Sequence, residues 1–254
     1  MIEAGTLSVL TWNIGRVHLG ARVNGMFRHD SRGRDAALSH VARVIAASGA
    51  EVVGLQELRS HGQLGRLLSR LGEGWISTGM EGSLQVSDRL VGMLARREVM
   101  AEARFEVVQL GGRPAHALVQ RDRVVLAVHW DAFDARVRVE QARRLSAWVD
   151  ARPEPTVIVM GDFNIDLRLP LYSRRSDRAL WRALVDGRRL VDAGARAGAT
   201  VMLGRRLDYV LVRGARAEVK VLRKRRVPLG DHDPLFALVV PEAEPRVDSA
   251  RGVP

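Results

Sequence analysis

Val157-Ile158-Val159-Met160-Gly161-Asp162-Phe163-Asn164-Ile165-Asp166 is the stretch on which the reading of this chain turns. Four consecutive apolar residues, three of them β-branched, have the length and character of a buried strand. A glycine ends the run and Asp162 and Asn164 follow two apart, so the strand carries two short polar side chains to a rim. Taken alone, Asp-x-Asn reads equally as an Asx turn, whose side chains bond nearby backbone, and as part of a site. Its surroundings decide.

Upstream, Val124-Val125-Leu126-Ala127-Val128 is a second apolar run that ends in a polar group, His129. Between the two runs Gln141, Leu145, Trp148 and Val149 mark a helix that must stop before Pro153, because proline has no amide hydrogen to donate. Nearer the N-terminus, residues 51–57 form a short buried strand ending in Glu57, and residues 6–12 alternate as a strand ending at Asn13. Further strands are expected at 75–78, 90–96, 103–109, 116–120, 207–212 and 236–240. Helices are expected from Asp35 to Gly49 and over 61–71 and 176–185. Residues 14–33 mix Gly, His, Arg and Asn without periodicity and read as a long exposed loop. Strands that alternate with helices yet also follow one another in hairpins predict an α+β fold, a four-layered α/β/β/α sandwich of two packed mixed sheets flanked by helices. No linker divides the chain, so residues 1–241 are expected to form one domain and 242–254 a flexible tail.

A hydrophobic content of 46% in 254 residues supports a sizeable core, and the absence of cysteine excludes disulfide scaffolds, zinc ribbons and thiol nucleophiles. Forty Lys+Arg against 29 Asp+Glu leave a net charge of +11, carried almost entirely by arginine. Such an excess is either a solvated basic surface or an attraction to phosphate-rich polyanions, nucleic acid or anionic lipid headgroups. No apolar run is long enough to span a membrane and Glu3 stands where a secretory leader would be basic, so a soluble cytoplasmic protein is expected. No obligate protein partner is evident.

Six strand ends or strand-adjacent turns carry polar residues: Asn13, Glu57, His129, the Asp162/Asn164 pair, Asp208 and the Asp231-His232 pair. One such residue is ordinary; six in one chain are not. If these ends converge, they supply oxygen ligands for a hard cation such as Mg2+, an imidazole for acid–base work and neutral donors for a charged oxygen.

Thr11-Trp12-Asn13, Leu55-Gln56-Glu57, Val128-His129, Gly161-Asp162-Phe163-Asn164, Leu207-Asp208-Tyr209 and Asp231-His232 together resemble, in order, the motifs of the endonuclease/exonuclease/phosphatase superfamily of divalent-metal phosphoesterases. The resemblance implies that Glu57 holds the metal, Mg2+ or Mn2+, with Asn13 and Asp231 contributing directly or through water. It implies a catalytic His232 oriented by Asp208, an Asp162/Asn164 pair that positions or deprotonates water and holds phosphate, and a His129 that donates to the phosphate or leaving group. A histidine at 129 resembles the deoxyribonucleases, sphingomyelinases, inositol-phosphate phosphatases and deadenylases rather than the abasic-site endonucleases. Arg138 and Gln141 resemble the Arg-x-x-Gln pattern of that group, and Arg59, two residues after Glu57, resembles a groove-binding arginine of pancreatic-type deoxyribonucleases. Gly230 departs from the serine that the family carries before Asp-His. The basic run ahead of that motif, with Arg223, Arg225 and Arg226, is expected to flank the site. The expected activity is hydrolysis of phosphodiester bonds in nucleic acid, DNA preferred; the alternative is an inositol phosphate or phospholipid headgroup.

Overall fold

A computed structural model describes residues 5–78, 90–168, 175–185, 189–223 and 225–242. In chain order the strands are β1 (Leu7–Asn13), β2 (Ala21–Val23), β3 (Met26–Arg28), β4 (Val52–Leu58), β5 (Trp75–Ser77), β6 (Leu90–Arg96) and β7 (Arg104–Val108). They continue with β8 (Ala115–Val119), β9 (Arg123–His129), β10 (Thr156–Asp162), β11 (Val191–Asp192), β12 (Asp208–Arg213), β13 (Ala215–Val221) and β14 (Leu235–Pro241). The α-helices are α1 (Ser31–Ser48), α2 (His61–Leu71), α3 (Ala135–Asp150) and α4 (Arg175–Val185).

Two six-stranded sheets result, ordered β13-β14-β1-β4-β6-β5 and β11-β12-β10-β9-β8-β7, each mixing parallel and antiparallel pairs. The period-2 alternation of strands explains the layering. In β10, Ile158 and Met160 face the other sheet, while Val157 and Val159 face outward beneath α3 and α4. In β1, Val9 faces inward and Leu10 and Trp12 pack under α1 and α2. Three apolar clusters therefore stack as helix–sheet, sheet–sheet and sheet–helix layers, the expected four-layered sandwich.

The helices begin where polar caps satisfy their first amides. Asp30 caps α1 through Gly33 N, Ser60 caps α2 through Gln63 N, and Asp134 caps α3 through Arg136 N. Helix α1 closes at Gly49 in the left-handed region.

Segment 14–33 corrects the expected exposed loop. A 3₁₀ turn at Gly15–Leu19 buries Val17, and the β2–β3 hairpin turns at Asn24-Gly25, both at positive φ. Such a turn matches the strand twist, which is why Asn-Gly favours it. Strands β11 and β13 also lie beyond the expected set. Of the expected tail 242–254, all but Glu242 lies outside the described residues.

Candidate active site

The register of the second sheet sets three polar side chains in one row. His129 at the end of β9 is level with Asp162 at the end of β10, and Asp162 is level with Asp208 at the start of β12. All three continue columns whose next members, Ala127, Met160 and Val210, face the other sheet, so all three point into the cleft between the sheets. Asn13 meets them from β1, its Nδ2 donating to Asp162 Oδ2 at 3.0 Å while its Oδ1 accepts from Gly15 N. Beneath it Thr11 and Gln56, both fully buried, exchange hydrogen bonds and tie the ends of β1 and β4 together.

Glu57 reaches the cleft by an irregularity. Simple alternation would turn it toward the helices, but the β4–β6 register shifts between Leu55 and Leu58 and Glu57 adopts a positive φ of 59°. That bulge re-aims the carboxylate, bringing its Oε1 to 3.9 Å from His129 Nε2. Gly15 is the cradle for it, since a β-carbon at Gly15 would overlap the Glu57 carboxylate. Gly161 is likewise obligatory, because a β-carbon there would overlap the Val128 carbonyl oxygen of the neighbouring strand.

Asp162 lies at the centre. Its Oδ1 accepts from Asn164 N at 2.9 Å, so the Asx turn is present, and its Oδ2, bonded by Asn13, faces the cleft. Asn164, in the left-handed region, donates its Nδ2 to the Trp130 carbonyl. The same Oδ2 of Asp162 lies 3.8 Å from His129 Nε2 and 3.8 Å from His232 Nε2. Those separations are too long for hydrogen bonds and suit an intervening water or substrate oxygen. His232 is held from its other side, Nδ1 donating to Asp208 Oδ2 at 2.9 Å.

The electrostatics follow from burial and neighbours. Burial raises the Asp162 carboxyl, and Asp208 adds to that; the His232 imidazolium and the bonds from Asn13 and Asn164 pull the other way without prevailing. Burial lowers His232, but Asp208, Asp162 and Asp231 outweigh it and raise the imidazole well above its ordinary value.

Side chains outside the motifs complete the frame. Trp12 Nε1 donates to the His232 carbonyl at 3.2 Å. Thr200 Oγ1 accepts from the amides of Leu207 and Asp208, and its carbonyl accepts from Asp233 N, so one threonine joins the two halves of the Asp208–His232 pair. Tyr209, fully buried, donates its hydroxyl to the carbonyls of Ile165 and Arg206 and packs with Phe163 and Trp181 beneath the Asp162 turn. A lone Thr200 in Ala199-Thr200-Val201 carries no sequence signal for this role.

The residues present fit a divalent cation. Asp208 Oδ1 is buried with no hydrogen-bond partner among the described residues, and it shares the cleft with Asp162, a second buried hard oxygen donor. Ligand atoms of Asp162, Asp208 and His232 lie within 4.8 Å of one another. Glu57 adds a third carboxylate at the same mouth. Oxygen-rich sets of this kind suit Mg2+ or Mn2+. Asp231, expected as a ligand, instead pairs with Arg16 at 3.3 Å.

The expected substrate contacts divide. Arg59 is exposed at the rim, donating to His18 Nε2 at 3.1 Å. Arg223 is exposed with Nη1 4.0 Å from Asp233, Arg225 is exposed, and Arg226 is partly buried; Lys224 lies outside the described residues. Arg138 is a correction. Its guanidinium is buried, paired with Asp177 of α4 at 2.9 Å and bonded to the Asp131 carbonyl, so it is occupied inside the protein. Gln141 is also internal, joining Asp131 N to the Gly111 carbonyl.

A sandwich of two mixed sheets, with carboxylates and histidines gathered where their strands end, defines a phosphoesterase class. The chain belongs to the Endonuclease/Exonuclease/phosphatase family, whose model matches residues 10–232. No curated protein matches it significantly. Among solved structures it resembles an endonuclease/exonuclease/phosphatase family protein from Bacteroides thetaiotaomicron, with a TM-score of 0.66 and 19% identity over 94% of this chain and 98% of that one. It also resembles the mannosyl-6-phosphatase of Bacteroides thetaiotaomicron, with a TM-score of 0.63 and 18% identity over 92% and 99%. TDP2 from Caenorhabditis elegans gives 0.64 and 15% over 94% and 75%. At these identities the likeness is one of fold. Family members are phosphoesterase hydrolases and are generally divalent-metal dependent. Among the described residues no helix is long and apolar enough to cross a membrane.

Proposed function

We propose that this protein is a metal-dependent phosphodiesterase that hydrolyses nucleic acid, DNA in preference, by in-line attack of water on phosphorus. The observation that carries the reading is the ring about Asp162 Oδ2, with Asn13 Nδ2 at 3.0 Å and the Nε2 atoms of His129 and His232 each at 3.8 Å. Asp162, its basicity raised by burial, accepts the proton of the attacking water. Asn13 holds that carboxylate in place. His232, kept as an imidazolium by Asp208, presents an N–H to the phosphoryl oxygens, and His129 presents a second from across the cleft. Glu57 and Asp208, whose buried Oδ1 has no hydrogen-bond partner among the described residues, would hold a Mg2+ or Mn2+ ion, which when bound neutralises the charge that develops on the phosphoryl and leaving oxygens.

Nucleic acid is favoured as substrate by the net charge of +11 and by Arg59 and Arg223 at the exposed rim. A phosphomonoester is the second reading, favoured by the fold shared with a mannosyl-6-phosphatase. A screen of supercoiled plasmid, RNA, phospholipid, inositol phosphate and sugar phosphate with Mg2+, and again with EDTA, tests both. Metal-dependent nicking that is lost in the His232→Ala variant is the expected result. Turnover of a monoester with intact plasmid would overturn the nuclease reading.

A further inference from the structure

A basic groove lies outside the cleft, on the flank of the first sheet. An open groove of about 660 Å³ runs between α1 and the edge strand β13 with the turn that follows it. One wall is a single helical stripe, His40, Arg43 and Val44, then Ala47 and Ser48, at the three- and four-residue spacing that shares a face. The opposite wall is the run from Lys220 to Arg223, together with Arg225. Four permanent cations and one histidine line it, and no carboxylate does among the described residues. A surface placed there merely for solubility would intersperse both signs, as α3 does by pairing Glu140 with Arg143 and Arg144.

Contacts run from the groove's lining toward the cleft. His40 Nε2 donates to the Arg225 carbonyl at 2.9 Å, and the His40 ring meets Trp12 edge-on at 6.3 Å. Trp12 in turn bonds the His232 carbonyl, and Arg223 lies 4.0 Å from Asp233 beside that histidine. No aromatic ring other than His40 is among the groove's lining residues, so it lacks a platform of stacked bases and offers a path for phosphates.

We propose that this groove binds the phosphate backbone of a nucleic-acid strand whose scissile bond lies in the cleft, holding it by charge and without reading sequence. The proposal rests on nucleic acid as the substrate. A fluorescein-labelled DNA strand of about twenty nucleotides, titrated by anisotropy in EDTA across a range of salt, tests it without turnover. The pair Arg43→Gln with Lys220→Gln, confirmed folded by thermal melting, should lose about tenfold or more in affinity. Its slope of log K against log salt should fall by about 1.4, or roughly 0.7 for each phosphate no longer neutralised. Arg225→Gln, on the exposed turn, should weaken binding in the same direction. The control pair Arg121→Gln with Arg136→Gln, exposed on elements of the other sheet's side, makes the same change in net charge and should stay within about twofold. Equal losses in both pairs, or none in the first, would overturn the groove. Groove-dependent binding to phosphatidylcholine–phosphatidylserine vesicles without binding to DNA would overturn it in favour of a membrane surface. Plasmid cleavage with Mg2+ is read separately, so a binder that does not cleave fails the nuclease reading and leaves the groove standing.

Discussion

Replacing Arg138 by methionine asks whether this arginine serves the substrate or the fold. Its side chain is 3% exposed and that of Asp177 is 4% exposed. Nη2 bonds both Asp177 oxygens, at 2.9 and 3.2 Å, Nε adds a contact at 3.2 Å, and Nη1 bonds the Asp131 carbonyl at 3.0 Å. Methionine fills much of the same volume but leaves Asp177 as a buried, uncompensated carboxylate, which costs about 3–5 kcal/mol. That is a large part of the roughly 5–15 kcal/mol that holds a domain folded. Removing both charges, as in Arg138→Met with Asp177→Leu, takes away the orphan and should restore most of the loss, since a well-packed apolar pair is often no worse than a buried ion pair.

The assay is urea unfolding followed by tryptophan fluorescence, for the single variants and the double. Trp130 and Trp181 pack on Phe163 in the cluster between α3, α4 and the second sheet, so they report loss of this layer. The turnover of the folded fraction should change little, because the guanidinium does not face the cleft. An Arg138→Met protein as stable as the parent within about 0.5 kcal/mol, but with a raised KM, would refute the reasoning and return Arg138 to the substrate.

His232→Ala should lower kcat by about 100- to 10,000-fold at unchanged fold, measured on whichever substrate the screen identifies. Asp208→Asn removes the charge that holds the imidazole up against burial, so the basic limb of the pH–rate profile should move down from well above neutrality; an unmoved limb would exclude the pair from the rate. Gly15→Ala displaces the Glu57 carboxylate from its cradle and should raise the Mg2+ concentration needed for half-maximal rate by about 10- to 100-fold, read from a metal titration. Asp162→Asn should abolish turnover yet stabilise the metal-free protein at about pH 8. The native carboxyl is raised by burial, so the stability it confers is full only below its ordinary pKa and is lost as pH rises through its folded value. Urea midpoints of variant and parent should therefore converge on acidification.

The layers were legible because burial writes itself into strand alternation. Residues 157–160 read as a strand since both faces are covered, by the other sheet and by α3 and α4. Strand β13 was harder, because Arg216, Glu218 and Lys220 fill its exposed face and only Ala217, Val219 and Val221 report the core. The β2–β3 hairpin had its Asn24-Gly25 signal, but strands of three residues are too short to show a period. The order of the motifs pointed to the cleft and could not convey its joints. Nothing local to Glu57 announces a bulge, and Arg138 finds Asp177 thirty-nine positions away through the packing of α3 on α4. Spacing along one helix says which side chains share a face; it does not say what that face meets.

The site is the end of the inter-sheet core. Along β9, β10 and β12 the inward columns are apolar until the final member, where His129, Asp162 and Asp208 replace them side by side. A single charge in that position would be expensive, and two carboxylates short of donors more so. The fold answers with the donors it has, Asn13 and the amide of Asn164 on Asp162, and His232 on Asp208, yet Asp208 Oδ1 still has no partner among the described residues. That incompleteness distinguishes the row from a structural network, which would be satisfied throughout. The cost of burying these carboxylates is offset by packing elsewhere, in the aromatic cluster of Phe163, Trp181 and Tyr209 beneath the turn that carries Asp162. The same burial that weakens the fold here raises the Asp162 carboxyl, which is what the proposed role as proton acceptor asks of it, and in that proposal it also strengthens the N–H groups of the facing histidines toward an anionic oxygen.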